Sequence, residues 1–364
     1  MKSILLGYKE EHKLKRKAMT VLGPVDIEDL GITMPHEHIL VDSSPFFFAE
    51  PSEASKRKIA NEPVKIDNLF WTHSHLMMNK DDMIMADEEL AKRELMHFKR
   101  AGGSTIVEMS CIGLGRDPEG LKGISIETGL NIIMGTGYYV EGSHPGYVKE
   151  SSAEDLSKIM VKEIQDGVGD TGIKAGIIGE LGCSFPLRDE ERKVLRASAR
   201  AQVESGVSIN VHPSRDDEAL FEIVKILKDS GAEMERVVIS HAEHFPFSDE
   251  TLFKVLDEGC FLEFDTFGHP ALPIEVFEEE GKLLEMPSDP ARIYRLRMYI
   301  EKGFVDKLLI SQDCCFKHKY IEFGGYGYAY ILRDVLRWMR QRGIKDEDIN
   351  RIIMDNPKRI LEVK

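Results

Sequence analysis

Six side chains of metal-binding types occur at the ends of short apolar runs in this sequence. They are His36, His38, Glu180, His212, His241 and Asp313. The first two are two positions apart, so on a β-strand both imidazoles would point to the same face and could reach one ion. The other four each end an apolar run: AGIIGE, SINVH, RVVISH and KLLISQD. Four imidazoles and two carboxylates exceed the needs of one tetrahedral ion and suit two divalent ions that share a bridging carboxylate.

These side chains can meet only if the strands that carry them end at a common place. Eight segments rich in Val, Ile, Leu or Phe predict buried parallel strands, at 31–40, 104–111, 131–139, 175–183, 207–212, 236–241, 260–266 and 307–313. The amphipathic segments between them predict helices, since several open with Ser or Asp and close at Gly. This alternation indicates a (β/α)8 TIM barrel, whose active site forms at the C-terminal ends of the strands. An open doubly wound sheet is the alternative, but no G-x-G-x-x-G follows a first strand.

The composition fits one globular domain. Hydrophobic residues make up 42% and charged residues 30% of the 364 residues, which is typical of a soluble protein. Because neither a Pro/Gly/Ser linker nor an internal repeat divides the chain, residues 1–364 are predicted to form a single barrel domain. A long polar stretch at about 44–92 exceeds an ordinary connection. We expect it to place helical pieces over one mouth of the barrel.

The charge balance limits the classes of partner. There are 48 Lys and Arg against 63 Asp and Glu, a formal charge of −15, which disfavours nucleic acid and anionic membrane surfaces. No apolar run is long enough to cross a bilayer, and residues 3–17 lack the features of a secretory signal. Five cysteines, an odd number, fit a reducing compartment. We therefore expect a cytoplasmic protein that acts on a small-molecule substrate.

Several longer motifs resemble the phosphotriesterase-related branch of the amidohydrolase superfamily. They are GPVDIEDLGITMPHEHIL, GRDPEGLKGISIETGLNIIMGTGYY, AGIIGELGCS, LEFDTFG and DNPKRILE. The GGYGYAY motif at 324–330 and the long early insertion are similar to the subgroup called resiniferatoxin-binding, phosphotriesterase-related proteins. The resemblance covers nearly the whole chain from about residue 20, and it implies a homodimer.

The resemblance also implies a role for each candidate ligand. The more exposed metal would be held by His212 and His241, and the more buried one by His36, His38 and Asp313. Imidazole and carboxylate donors favour Zn²⁺, although Mn²⁺, Co²⁺, Ni²⁺ or Fe²⁺ could occupy the same ligands. The two ions would lower the pKa of a bridging water and yield a hydroxide nucleophile.

The bridging position departs from the founding enzymes of the family. Those phosphotriesterases have a carboxylated lysine where this sequence has Gly179, while the adjacent Glu180 matches the bridging glutamate of the related branch. The departure argues against organophosphate triesterase activity but keeps a bridge. Asp313 would be the catalytic residue that accepts a proton from the hydroxide and delivers it to the leaving group. Activity should fall in acid as the ligands protonate.

Other residues have more than one interpretation. Tyr139, at the end of MGTGYY, would bind a substrate oxygen or lie near the metals, or else pack against the barrel rim. Asp265 also follows an apolar strand, where it would either join the site or orient a ligating histidine through a hydrogen bond. His244 and His269 are expected to take no part in the site.

The leading interpretation is a binuclear metal-dependent hydrolase of a small ester or lactone. An N-acyl amide hydrolase or a phosphotriesterase on the same site is the alternative within this class. A barrel that binds a small molecule without catalysis is the alternative from another class, but it would have no need of Asp313. A mononuclear barrel deaminase would share the H-x-H motif and Asp313, yet it would leave Glu180 without a metal.

Overall fold

A computed structural model describes residues 16–244, 246–275 and 283–364. Residues 3–15 of the segment that we compared with a secretory signal therefore lie outside the described residues. Eight strands form one parallel sheet in chain order. They are β1 (Thr33–Glu37), β2 (Thr105–Glu108), β3 (Asn131–Thr136), β4 (Ile177–Gly182), β5 (Ile209–His212), β6 (Val237–Ile239), β7 (Phe261–Phe264) and β8 (Leu308–Ile310).

The first and last strands meet and bring the sheet round into a barrel. The N–H of Asp313 donates to the carbonyl of His36 at 3.3 Å, and the N–H of His36 donates to the Ser311 hydroxyl at 3.2 Å. The buried Glu37 carboxylate strengthens this junction, since it accepts from the Ser311 hydroxyl at 2.8 Å and from the Gln312 N–H at 2.9 Å. These bonds join β1 to β8 at the end of the barrel where the candidate ligands stand.

A helix follows each strand on the outside of the barrel. The first seven are α1 (Glu88–Arg100), α2 (Pro118–Thr128), α3 (Ala153–Gln165), α4 (Asp189–Ser205), α5 (Asp217–Asp229), α6 (Asp249–Asp257) and α7 (Asp289–Glu301). After β8 come two π-helical and three α-helical pieces: Ile331–Val335, Leu336–Gln341, Asp346–Asn350, Arg351–Asp355 and Asn356–Leu361, of which the first and fourth are π-helical. The predicted (β/α)8 barrel is confirmed. No helix within the described ranges has both the length and the apolarity needed to cross a membrane.

Capping residues explain where the helices begin and end. At α3, the Ser152 side chain accepts from the Asp155 N–H, and the Asp155 carboxylate accepts in return from the Ser152 N–H, which forms a capping box. Gly129 and Gly206 end α2 and α4 in the left-handed conformation, with φ of 64° and 73°. The predicted punctuation by Ser or Asp and Gly is thus present at these helices.

Apolar residues fill the lower part of the barrel. One buried cluster unites side chains from six of the strands: Val107, Ile133, Ile177, Val238, Phe261 and Leu309. An N-terminal hairpin is formed by Lys17–Thr20 and Gly23–Asp26. The cluster also contains Ala18 from this hairpin and Ile27, which directly follows it. Since alternate residues of a strand share a face, the interior continues from Phe261 to Glu263 and Asp265. The barrel is therefore apolar below and polar at its C-terminal end.

The segment between β1 and α1 is the long polar stretch noted in the sequence. It contains three short helices, Ser44–Phe47, Ala54–Ala60 and Leu69–Ser74. A two-residue antiparallel pairing of Val41–Asp42 with Ile84–Met85 ties its ends together. A further antiparallel pair, Pro273–Glu275 with Leu283–Glu285, follows β7.

Candidate metal centre

The six candidate ligands come together at the C-terminal end of the barrel. Two sets of three side chains each offer ligand atoms within 4.8 Å of one another: His36, His38 and Asp313 in one, and Glu180, His212 and His241 in the other. Five of the six are buried, and His212 is the most exposed. Each set supplies nitrogen and oxygen donors of the kind that divalent transition metals take from proteins.

Glu180 belongs to the second set but also approaches the two histidines of the first. Its Oε1 lies 2.8 Å from Nε2 of His241, 2.9 Å from Nδ1 of His212 and 3.6 Å from Nε2 of His36. Its Oε2 lies 3.9 Å from Nε2 of His38. A single buried carboxylate therefore approaches all four imidazoles, which is the arrangement that a bridging ligand requires.

The backbone beside Glu180 explains why the carboxylate comes from this residue. Gly179 has a φ of +147°, and a Cβ at this position would lie 2.8 Å from the carbonyl oxygen of Asn210 and 2.9 Å from its Cβ. Real Cβ atoms do not approach other atoms so closely, and L-residues rarely adopt this φ. A lysine side chain at Gly179 is thus incompatible with this backbone, and Glu180 supplies the anionic group instead.

Asp313 completes the first set. Its Oδ1 lies 3.4 Å from Nε2 of His38 and 3.9 Å from Nε2 of His36. Its backbone has a φ of 47°, in the left-handed region that disfavours residues other than glycine. The Lys319 ammonium holds this conformation in place by donating to the Asp313 carbonyl at 2.6 Å.

Two further carboxylates orient the imidazoles from behind. Nδ1 of His241 lies 2.8 Å from the Asp265 carboxylate, and Nδ1 of His36 lies 3.1 Å from the Glu263 carboxylate. Each bond leaves Nε2 directed at the centre, as is usual for ligating histidines. Asp265 thus makes the hydrogen bond that one interpretation of the sequence assigned to it. Glu263 was overlooked, although it precedes Asp265 by two residues on β7 and must share its inward face.

The charges of the centre keep Glu180 ionised and His36 protonated when no metal is bound. Burial opposes charge on both side chains, but the carboxylates of Glu180 and Asp265 raise the pKa of His36 to about 10. The imidazoles of His36 and His212 in turn hold the pKa of Glu180 well below its usual range. Burial lowers the pKa of His212 to about 4, so this ring is neutral and ready to bind a metal.

One buried atom shows that a cation would fit here. Among the described residues, no hydrogen-bond partner reaches Nε2 of His36, although the atom is fully buried. A buried polar atom without a partner is costly, and such atoms are rare in folded proteins. A divalent ion between His36, Glu180 and Asp313 would satisfy this nitrogen and balance the two carboxylates.

Metal loading at neutral pH is expected to release protons. Because the pKa of His36 is about 10 in the metal-free protein, the ring must lose a proton before Nε2 can bind an ion. The metal-free side of the equilibrium holds more protons, so affinity should rise as the pH increases towards about 10 and fall in acid. Calorimetric titration of the metal-free protein with Zn²⁺, in buffers of different ionisation enthalpy, measures this release.

Elemental analysis of a Glu180→Ala variant accompanies the titration. We expect about two ions per chain in the parent, as in two-metal hydrolases, and a clear loss in the variant. Glu204→Ala, an exposed position on α4, is the matched control that should keep the parental content. A binding enthalpy independent of the buffer would contradict the protonation of His36.

A cavity of about 530 Å³ opens above the centre. Its walls include Tyr139, whose hydroxyl lies 3.2 Å from Nδ1 of His212, and two guanidinium side chains, Arg188 and Arg215. His244 and His269, which were expected to take no part in the site, line the same cavity. Nε2 of His269 lies 3.9 Å from Oδ2 of Asp313.

Part of the cavity wall comes from the segment between β1 and α1. Phe46, Phe47, Leu76 and Met77 line it, and the ring of Phe47 meets the ring of Tyr139 edge-on at 5.8 Å. The sequence pointed to a covering role for this segment but did not identify these side chains, since they have no apolar strand or ligand spacing around them. The cavity is thus polar at its floor and largely apolar along this wall.

Comparison with known proteins agrees with the motifs and the geometry. The Phosphotriesterase family matches residues 16–361. N-acetyltaurine hydrolase from Xenopus tropicalis is 37% identical over 352 residues, which cover 96% of this chain and 99% of that protein. N-acetyltaurine hydrolase from Dictyostelium discoideum is 38% identical over 367 residues, covering 95% and 98%. The crystal structure of a resiniferatoxin-binding protein from Rhodobacter sphaeroides superimposes with a TM-score of 0.89, at 31% identity and 95% coverage of each chain. The chain belongs to the phosphotriesterase family.

Proposed function

We propose that the protein is a metal-dependent hydrolase that cleaves the amide bond of a small N-acyl amine whose amine half carries an anionic group. The observation that carries this proposal is the presence of Arg215 in the same cavity as the carboxylate and imidazole centre. Relatives of 37% and 38% identity over nearly the whole chain are N-acetyltaurine hydrolases, whose substrate joins an amide to a sulfonate. The leading interpretation of the sequence was hydrolysis of an ester or lactone. The experiment must therefore compare esters and lactones with amides as substrates.

The residues of the centre fit two divalent ions, and imidazole with carboxylate donors favours Zn²⁺. His36, His38 and Asp313 would hold one ion, and His212 and His241 the other. Glu180 would contact both, as its distances to the four imidazoles support. When bound, such ions supply Lewis acidity towards a carbonyl oxygen and lower the pKa of water towards neutrality.

Asp313 would move the proton. Burial raises the pKa of its carboxyl, but the neighbouring imidazoles of His38 and His36 outweigh burial and hold the pKa well below its usual range. The carboxylate is therefore ionised at neutral pH and can accept a proton from the water that attacks the amide carbonyl. It then delivers this proton to the departing amine nitrogen, which leaves poorly as an anion. A carboxylic acid and an amine are the products.

Arg215 would bind the anionic end of the substrate. It follows His212 by three residues in the loop after β5 and lines the same cavity, which would place its guanidinium near a carbonyl bound over the centre. A planar guanidinium donates to two oxygens of a sulfonate or carboxylate at once, which gives both affinity and orientation. This contact would place the amide over the centre rather than deeper or shallower in the cavity.

A substrate panel tests the proposal. We expect the metal-loaded protein to hydrolyse N-acetyltaurine, and N-acetyl-β-alanine as its carboxylate counterpart, with higher kcat/KM than neutral N-ethylacetamide, simple esters or lactones. Replacing Arg215 by Ala should lower kcat/KM for the anionic amides about 10- to 100-fold, because a hydrogen bond between charged groups is lost. N-ethylacetamide, which has no anionic group, should be affected much less.

Arg196→Ala is the matched control for the arginine. Arg196 is exposed on α4 and does not line the cavity, so its loss should leave every substrate unchanged. Turnover of lactones or esters without turnover of any amide would contradict the proposed amide substrate and indicate an esterase or lactonase. Equal effects of Arg215→Ala on anionic and neutral amides would remove the role of Arg215.

A further inference from the structure

We propose that Phe46, Phe47, Leu76 and Met77 form an acyl subsite that accepts an acyl chain longer than acetyl, and that Met77 sets the preferred chain length. The inference rests on the proposed amide hydrolysis and concerns the other half of the substrate. The four side chains all come from the segment between β1 and α1, and all line the cavity above the centre. The occupant to which they are suited is an aliphatic chain attached to the amide carbonyl.

An aromatic surface leads from the centre towards solvent along this wall. The ring of Tyr139 lies 5.1 Å from that of His212, the ring of Phe47 lies 5.8 Å from Tyr139, and Phe46 follows at 6.3 Å. Phe46 is 43% exposed, so the surface reaches the mouth of the cavity. The methyl of an acetyl group extends only about 1.5 Å beyond its carbonyl carbon, one C–C bond. A carbonyl held over the centre would thus leave most of this surface uncovered unless the acyl chain were longer.

The size of the cavity supports the same conclusion. Its volume of about 530 Å³ falls within the range of sites that enclose drug-sized ligands, which are larger than an acetylated small amine. The candidate ligands line one part of the cavity, whereas the side chains of the acyl subsite contain only carbon, sulfur and hydrogen. A small, wholly polar substrate would gain nothing from that wall, but an alkyl chain would be removed from water against it.

The backbone of Met77 is strained, which marks this position as a candidate for a functional role. Met77 has a φ of 64°, in the left-handed region, where glycine is favoured. Only two other non-glycine residues within the described part of the chain have a positive φ, and these are His241 and Asp313 at the centre. The Met77 carbonyl accepts from the N–H of Ala49 at 2.8 Å, which anchors the turn. Strained backbone of this kind clusters at active sites and ligand-binding positions, where the surrounding structure holds it in place.

The experiment uses straight-chain N-acyl derivatives of the amine preferred in the panel, with acyl groups from acetyl to octanoyl. We expect kcat/KM to rise about fourfold for each added methylene until the subsite is filled, which corresponds to about 0.8 kcal/mol per buried CH₂. Met77→Gly should flatten this dependence. Since glycine accepts the left-handed conformation, the variant should keep its melting temperature, which shows that a change in selectivity is not a loss of folding.

A matched pair of phenylalanines provides a second test. Phe46→Ala should reduce the gain from the longest chains. Phe70→Ala should not, because Phe70 belongs to the same segment and is 76% exposed but does not line the cavity. A kcat/KM that is highest for acetyl and falls with chain length would overturn the acyl subsite while leaving the proposed hydrolysis intact. An unchanged dependence in Met77→Gly would overturn the role of Met77. Failure to hydrolyse any chain length would instead count against the proposed function.

Discussion

Replacing Asp313 by Asn is expected to lower kcat by about 10²- to 10⁴-fold, the usual contribution of a positioned proton carrier. The amide of asparagine matches the shape of the carboxylate but cannot accept the proton from the attacking water. The loop should keep its place, because Lys319 contacts the backbone carbonyl at this position and not the side chain. Steady-state kinetics on the preferred amide, with the metal content of the same samples, measure the effect.

The metal analysis separates two explanations of a loss. If Asp313→Asn retains the parental ion content, the lower kcat reports the loss of proton transfer. If the variant loses an ion, its kcat must be compared with that of the parent at saturating metal. Asp257→Asn, an exposed position at the end of α6, is the matched control and should behave like the parent. A variant with parental kcat would exclude Asp313 as the base. An unaltered ligand affinity with no turnover in either protein would favour the binding protein without catalysis.

Replacing Arg116 by Ala is expected to destabilise the fold by about 3–5 kcal/mol, the cost of leaving one charge of a buried pair alone. The two N–O contacts between Arg116 and Glu163 are both 2.9 Å, and the side chains are only 6% and 12% exposed. Glu163 also accepts from the Thr136 hydroxyl at the end of β3, while Arg116 donates to the Gly135 carbonyl at 2.8 Å. The pair therefore links α3 to the loop that follows β2 and to the end of β3. Urea unfolding measures the change.

Two further variants define what the measurement means. The double variant with Arg116→Met and Glu163→Met removes both charges. It should lower the free energy of unfolding less than Arg116→Ala does, because no uncompensated charge stays buried. Lys158→Ala breaks an exposed pair with Glu154 on α3, whose side chains are 66% and 65% exposed, and it should leave the stability almost unchanged because water and salt screen the pair. A similar small effect at Arg116 would show that water reaches the pair.

The barrel and the positions of the six candidate ligands could be predicted because both depend on local patterns. Buried parallel strands are almost continuously apolar, so one ionisable residue at the end of each is conspicuous. The barrel rule then places all such ends on the same face. Neither step requires knowledge of which side chains touch, and the structure brings the six together on that face.

The strand ends were less predictable than the strands. The segment 307–313 was predicted as a strand, but β8 ends at Ile310. Ser311 and Gln312 are just as buried as the strand itself, and the Ser311 N–H still donates to the Phe264 carbonyl at 3.0 Å, but the chain then turns at Asp313 with its positive φ. Burial continues beyond the hydrogen-bonded ladder because neighbouring loops enclose this end of β8. An apolar pattern alone therefore overestimates the length of the strand.

Contacts between distant parts of the chain were beyond the sequence. The bond between His36 and Glu263 joins residues 227 positions apart, and no spacing within either segment indicates it. The wall formed by Phe47 and Met77 depends on the path of an irregular segment, and Arg215 becomes informative only once its loop is seen to face the cavity. Such positions follow from packing, which a single sequence does not display.

The junction of β1 with β8 means that the first set of ligands, His36, His38 and Asp313, is the last part of the centre to be assembled. The His36 carbonyl accepts from the Asp313 N–H across this junction, so the donor groups of these two residues converge only when the final strand has reached the first. A nascent chain that lacks β8 also lacks Asp313, so the set formed by His36, His38 and Asp313 could hold an ion only after the last strand has joined the barrel. An ion held there would tie together opposite ends of the chain and slow the separation of its two terminal strands. Metal occupancy of this set would then report that the barrel has closed, not only that the strand carrying His36 and His38 has formed.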